Sequence, residues 1–220
     1  MKYDIRYKPA FATLFITLDP GDRLIAQAGA MASMGGGLSM ETEFAGGFLA
    51  ACLRKFLGGE TLFVNRFTNR TRESLTLVLT QSLVGDMASI TLRGDSICFQ
   101  PGAYIAHTGT IQTGVHWAGL SSWLAGEGLF KLKLSGNGTV FFGAYGGIHP
   151  QKISPEGLVV DSGHLVAYQP SVRMKIGLAS GLLGSVTSGE GLVNRLSGEG
   201  TVYLQSRSMG GLVRFLKSKV

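Results

Sequence analysis

Charge is scarce in this chain. Lys, Arg, Asp and Glu make up 15% of its 220 residues, where about 25% is usual for a globular protein. A chain that rations charge has less solvated surface to offer, and buried subunit contacts are depleted in charge, so the deficit points to self-association. Cysteine is nearly absent: Cys52 and Cys98 lie in apolar surroundings with no C-x-x-C spacing. That excludes a disulfide framework and a cysteine-based zinc site, and leaves buried structural thiols as the expectation. The four histidines, His107, His116, His149 and His164, form no HxH or HExxH arrangement and no His–Cys cluster, so no metal centre is expected. They read as ordinary satisfied polar residues. No run of 18 apolar residues occurs, which excludes a predicted transmembrane helix. Phosphate-binding GxxxxGK[ST] and the GxSxG nucleophile elbow are missing as well.

What the chain has in excess is glycine, 33 residues against only six prolines. Without a collagen period, that composition calls for many tight turns and bulges. The net charge is +6, which favours solubility first and an anionic partner second. The basic residues are scattered and no dense stripe with interleaved aromatics appears, so a nucleic-acid or other polyanion partner is disfavoured but kept as the alternative reading. The N-terminal stretch "MKYDIRYKPAFATLFITLDPGD" is interrupted by Asp4, Arg6 and Lys8 and reads as mature protein rather than a leader. The expected location is the cytoplasm, with peripheral membrane contact as an extension of that reading.

Three segments align without gaps: "LIAQAGAMASMGGGLSMET" from Leu24, "ICFQPGAYIAHTGTIQTGV" from Ile97 and "LVVDSGHLVAYQPSVRMKI" from Leu158. Each has an apolar run, a central glycine (Gly29, Gly102, Gly163) and a second alternating run. Further on, each carries a glycine–glutamate step, at Glu60, Glu127 and Glu190. Period-two alternation in "ESLTLVLT" and "MASITL", and β-branched or aromatic residues in "FKLKLSG" and "TVFFGAY", make the units β. The phrases "SGNG" and "SGEG" read as hairpin turns in which glycine supplies a positive φ. The expected architecture is therefore all-β: one unit of three repeated β-sandwich or short double-stranded β-helix modules, about 1–82, 83–153 and 154–220, in a pseudo-threefold arrangement.

Two sets of residues stand out. Glu60, Glu127 and Glu190 would be symmetry-related in such an arrangement and could form an acidic ring near an axis. Their glycine flanks favour plain turn residues. The second set is apolar: Phe48, Leu49, Leu53 and Phe56 at helix-like spacing in the first unit, Trp117 and Trp123 in the second, Leu182 and Leu183 in the third. They read as an internal plug or subunit seam. The sharper alternative is a set of lipid-touching tips, with Arg54 and Lys55 meeting headgroups. The tail "GLVRFLKSKV" carries the same basic and apolar mixture and suits either that role or a docked strand or helix. No catalytic residue, cofactor site or metal site emerges.

Five ordered phrases give the chain a resemblance: "AQAGAMASM", "FLGGETLFVNRFT", "SGNGTVFFGAYGGIH", "VDSGHLVAYQPSV" and "SGEGLV". On these it resembles the altered-inheritance-of-mitochondria protein 24 family, over nearly its whole length. The resemblance implies an all-β fold related to the tryptophan RNA-binding attenuation protein, and a trimeric or ring-like homo-oligomer. It supplies no catalytic residues. The mitochondrial relatives are linked to inner-membrane organisation, which implies a non-enzymatic scaffold with a membrane surface as its second partner. Kinship of fold with a tryptophan- and RNA-binding protein transfers no site.

Overall fold

The computed structural model describes residues 1–44, 63–100, 102–117, 130–178 and 192–219. Most of them are in antiparallel strands, with one short helix and turns making up the remainder. The first stretch of chain holds β1 (Lys2–Arg6), β2 (Thr13–Leu18), β3 (Arg23–Gln27), β4 (Met31–Met34), β5 (Leu38–Phe44), β6 (Phe63–Asn69) and β7 (Leu75–Leu79). It continues through β8 (Met87–Phe99), β9 (Tyr104–His107), β10 (Thr110–Trp117) and β11 (Phe130–Gly143). The last stretch contains β12 (Ile148–Lys152), β13 (Leu158–Asp161), a 3-10 turn (Ser162–His164), β14 (Leu165–Tyr168), β15 (Arg173–Leu178), β16 (Leu192–Ser197) and β17 (Thr201–Gln205). A nine-residue helix, α1 (Met209–Lys217), follows.

One pairing order recurs along the chain. β6 lies between β3 and β5, and β7 between β2 and β4. β16 lies between β13 and β15, and β17 between β12 and β14. In the middle stretch two long strands do the work of four. The first half of β11 lies between the end of β8 and β10, and its second half between the start of β8 and β9. β3 also pairs with β9, and the end of β8 with β14, so adjacent stretches are stitched by hydrogen bonds. β4 and β13 have no second partner strand among the described residues.

The middle stretch corrects one expectation. "SGNG" (135–138) makes no hairpin turn there; β11 runs through it as a single strand with a bulge between Ser135 and Asn137. Gly136 and Gly138 take φ of +125° and +158°, so the positive-φ glycines serve a bend rather than a reversal. Close packing reinforces the choice, because a Cβ at Gly138 would collide with the Thr108 carbonyl. The corresponding "SGEG" (197–200) does separate two strands, with Gly198 at φ +95°, but β16 and β17 belong to different sheets and do not pair, so it too is no hairpin turn.

Alternation places the core. In β2, Leu14, Ile16 and Leu18 point inward and are fully buried, facing Leu79, Leu77 and Leu75 of β7. Each such Leu or Ile contributes roughly 1.5–3 kcal/mol through burial. A second cluster gathers Ile97, Phe99, Leu134, Val140 and Phe142, with the Phe99 and Phe142 rings 5.4 Å apart. A third holds Cys98, Val160, Leu165, Tyr168, Leu196 and Val202. Cys98 is a free buried thiol, and burial pushes its pKa up to about 11, as expected of a structural residue. Asn69 is the polar exception that organises a loop. Its amide nitrogen donates to the carbonyls of Leu18 and Glu73, both at 2.7 Å, and its oxygen accepts from the backbone N–H and hydroxyl of Thr71.

Candidate functional site

Two of the glycine turns found in the sequence, those of Gly29 and Gly102, and the strand that follows the third meet at one cavity of about 420 Å³. Gln27 to Ala30, the turn after β3, form one side, and Gln100, Gly102 and Ala103, the turn after β8, form another. Leu165 and Val166 of β14 come from beside the 3-10 turn, and Gln205 from the end of β17. The loop Thr80–Leu83 and Gly143 and Ala144 complete the wall, with Met209 of α1 at the rim. The convergence follows from the pairing order, since each turn joins strands of two neighbouring sheet segments.

The three central glycines are glycine for two different reasons. Gly29 and Gly102 have φ of +86° and +81°, where any other L-residue is strained. Gly163 instead sits in the 3-10 turn, with Asp161 capping it by accepting from the Gly163 N–H at 2.9 Å. Its glycine is a matter of clearance: a Cβ there would lie 2.8 Å from Cβ of Ser208, which caps α1.

Four glutamines line the cavity, and they are not alike. Gln205 is spent on structure, donating to the Gly163 carbonyl at 2.8 Å and accepting from the Tyr145 N–H at 2.9 Å. The side-chain oxygen of Gln100 accepts from the buried ammonium of Lys131. Gln81 donates to the carbonyls of Asp86 and Ala144, which fixes its amide plane over Gly143, where a Cβ would collide with its oxygen. The Gln27 amide makes no hydrogen bond among the described residues. Among the described residues no Asp, Glu, Lys, Arg or His lines the wall. Sequence reasoning passed over these glutamines, although a signal was present: Gln27, Gln100 and Asp161 each stand two residues before a central glycine.

The residues singled out from sequence fall elsewhere. Glu60, Glu127 and Glu190, and the apolar Phe48, Leu49, Leu53, Phe56, Trp123, Leu182 and Leu183, lie outside the described residues. Trp117 ends β10, opposite Phe130. Of the histidines, His164 is satisfied, its Nδ1 2.7 Å from the Gln205 carbonyl. His107 departs from the expectation of four satisfied side chains. Buried at 2% exposure, it bonds Tyr104 through Nδ1 at 2.7 Å and leaves Nε2 without a partner. The Tyr104 hydroxyl also lies 3.2 Å from the Ile25 carbonyl, to which it can donate; in either tautomer of the neutral imidazole Nε2 stays unpaired, a bare acceptor when Nδ1 carries the hydrogen and a lone N–H donor when it does not. Burial pushes the His107 pKa down to about 4 and that of the Tyr104 hydroxyl upward. No group of three or more His, Cys, Asp or Glu suited to a metal ion occurs among the described residues.

A second feature is α1. Ser208 accepts from the Gly211 N–H, and Arg214 and Lys217 sit in the last turn, where they complement the helix dipole. None of its residues is buried. Phe215 is 60% exposed, and Met209, Val213 and Leu216 are exposed with it. The tail is thus a helix, one of the two docked forms open from sequence, but its apolar side chains are not packed into the sheets.

The Mitochondrial biogenesis AIM24 family model matches residues 3–207. The chain belongs to this family. It is 26% identical over 230 residues to an uncharacterized protein of Streptococcus pyogenes serotype M6, a match covering 98% of this chain and 91% of that protein. The crystal structure of a Streptococcus pyogenes protein superposes with a TM-score of 0.79 at 24% identity, covering all of this chain and 99% of the other. That likeness concerns the fold. α1 begins at Met209, just past the matched family region.

Proposed function

We propose that this protein is a non-enzymatic β scaffold, built of three copies of one module, that self-associates and rests on an anionic membrane surface through α1. The observation that carries the reading is α1 itself. Residues 206–219 contain Arg207, Arg214, Lys217 and Lys219 and no acidic side chain, and they present Met209, Val213, Phe215 and Leu216 to solvent. Apolar side chains flanked by cations are what an interfacial helix offers to a headgroup layer. Each basic residue near an anionic surface contributes about 1 kcal/mol. A nucleic-acid partner fits less well, because phosphates would take the cations and leave Phe215 and Leu216 in water. No helix among the described residues is long and apolar enough to cross a membrane, so the contact proposed is peripheral.

Self-association draws support from the low charge density and from an apolar patch at the end of the first sheet. There Phe11 bridges to Gly85, and Tyr7, Phe11 and Val84 are all exposed. The membrane part is tested by co-sedimentation of the full chain with phosphatidylcholine vesicles containing or lacking phosphatidylglycerol. Binding should require the anionic lipid, weaken with salt, and fall at least ~10-fold in Phe215→Ser. Equal recovery of wild type and Phe215→Ser, or binding indifferent to lipid charge, defeats the assignment.

A further inference from the structure

We infer that the cavity where the glycine turns converge binds an uncharged small molecule with an amide-type edge, a hydrogen-bond donor beside an acceptor, on an apolar body. Its volume of about 420 Å³ falls within the ~300–1,000 Å³ of small-molecule sites. Among the described residues the wall carries no ionisable side chain, so a charged ligand would lose its hydration with no opposite charge among them in contact to replace it. Polar capacity is present but divided. Gln205 is consumed in holding the wall together, and Gln100 accepts from Lys131. The Gln27 amide and the Thr80 hydroxyl, which both line the space, make no hydrogen bond among the described residues, and neither does the Gln81 oxygen.

Gln81 is the preorganised member. Its nitrogen is tied to two backbone carbonyls at 3.3 and 3.2 Å, so its oxygen is held in place as an acceptor before any ligand arrives. Gly143 makes this possible by leaving the volume that the amide occupies. A carboxamide meets a donor–acceptor edge in one plane, as glutamine does at the edge of adenine. Ala30, Ile105, Leu165 and Val166 supply the apolar remainder. The ligand class is therefore the nucleobase or carboxamide heterocycle. The site shares Met209 at its rim with α1, but the inference does not depend on the proposed membrane contact.

Isothermal titration of the full chain with nicotinamide and uracil, and with nicotinate as the charged counterpart of the first, tests the inference. Saturation by an uncharged probe near ~1 mM is expected for so small a fragment, with nicotinate at least ~10-fold weaker. Gln27→Leu should weaken the uncharged probe about 10-fold, the loss expected of one hydrogen bond. Ala28→Trp, at an exposed rim position, should abolish binding while the thermal melt stays that of the wild type. Three results overturn the proposal: neither uncharged probe binds, nicotinate binds as well as nicotinamide, or Ala28→Trp and Gln27→Leu both bind like the wild type.

Discussion

Acidification should destabilise this protein through one residue, His107. Burial holds its pKa at about 4, below the ordinary 6.5. The unfolded chain, whose imidazole is in water, therefore takes up the proton first as pH falls. Above about pH 6.5 both states are neutral and nothing is lost. Between about 6.5 and 4 the unfolded state binds more protons, and stability declines with falling pH. At pH 5 the gap is ~1.5 pK units, and at 1.36 kcal/mol per unit the loss is about 2 kcal/mol relative to pH 7. The cause is structural: the imidazole is buried, its Nδ1 is engaged by the Tyr104 hydroxyl, and in the doubly protonated ring the Nε2–H has no acceptor. Urea denaturation followed by circular dichroism at pH 7, 6 and 5, on the wild type and on His107→Gln, isolates this group by difference. The wild type should lose about 2 kcal/mol more than the variant between pH 7 and 5. Parallel stability curves for the two would refute the reasoning.

Asn69→Ala removes four hydrogen bonds that tie the Arg70–Ser74 loop to β2 and leaves the Leu18 and Glu73 carbonyls short of a donor. A loss of roughly 2–4 kcal/mol in urea unfolding is expected, and one below ~1 kcal/mol would mean that water replaces the side chain. Self-association predicts a mass above that of one chain in light scattering at micromolar concentration, reduced by Phe11→Ser; a wild-type monomer counts against it.

Much of the fold was legible because strand burial writes itself into sequence with a period of two. β2 and β7 alternate cleanly, and each buried position is Leu or Ile. The glycine turns were legible as places but not as conformations. Gly29 and Gly102 answer to backbone φ, Gly163 to the approach of Ser208, and Gly136 and Gly138 to a bulge. A glycine in sequence reports that a side chain is unwelcome, not why. The cavity went unread for a related reason. Its glutamines share a residue type but not a role, and only three-dimensional pairing separates Gln205, spent on Gly163 and Tyr145, from Gln27. His107 was read as ordinary because its partner Tyr104 is local while the burial that depresses its pKa comes from strands far away in sequence.

The same economy explains why the cavity lies where it does. Turns that join strands of different sheet segments cannot fill the space between them with large side chains, because Gly29 and Gly102 require positive φ and Ala30 and Ala103 are buried against neighbouring strands. A junction of such turns leaves a gap or fills it with water. Polar side chains around the gap keep the exposed turn carbonyls and N–H groups compatible with either occupant. Gln205 and Gln81 perform that task with backbone partners, and the fold is complete with those two amides bonded. Gln27 is surplus to it. Its amide, unbonded among the described residues, lines the same cavity as the fixed amide of Gln81, and that spare capacity is what the proposed ligand would use.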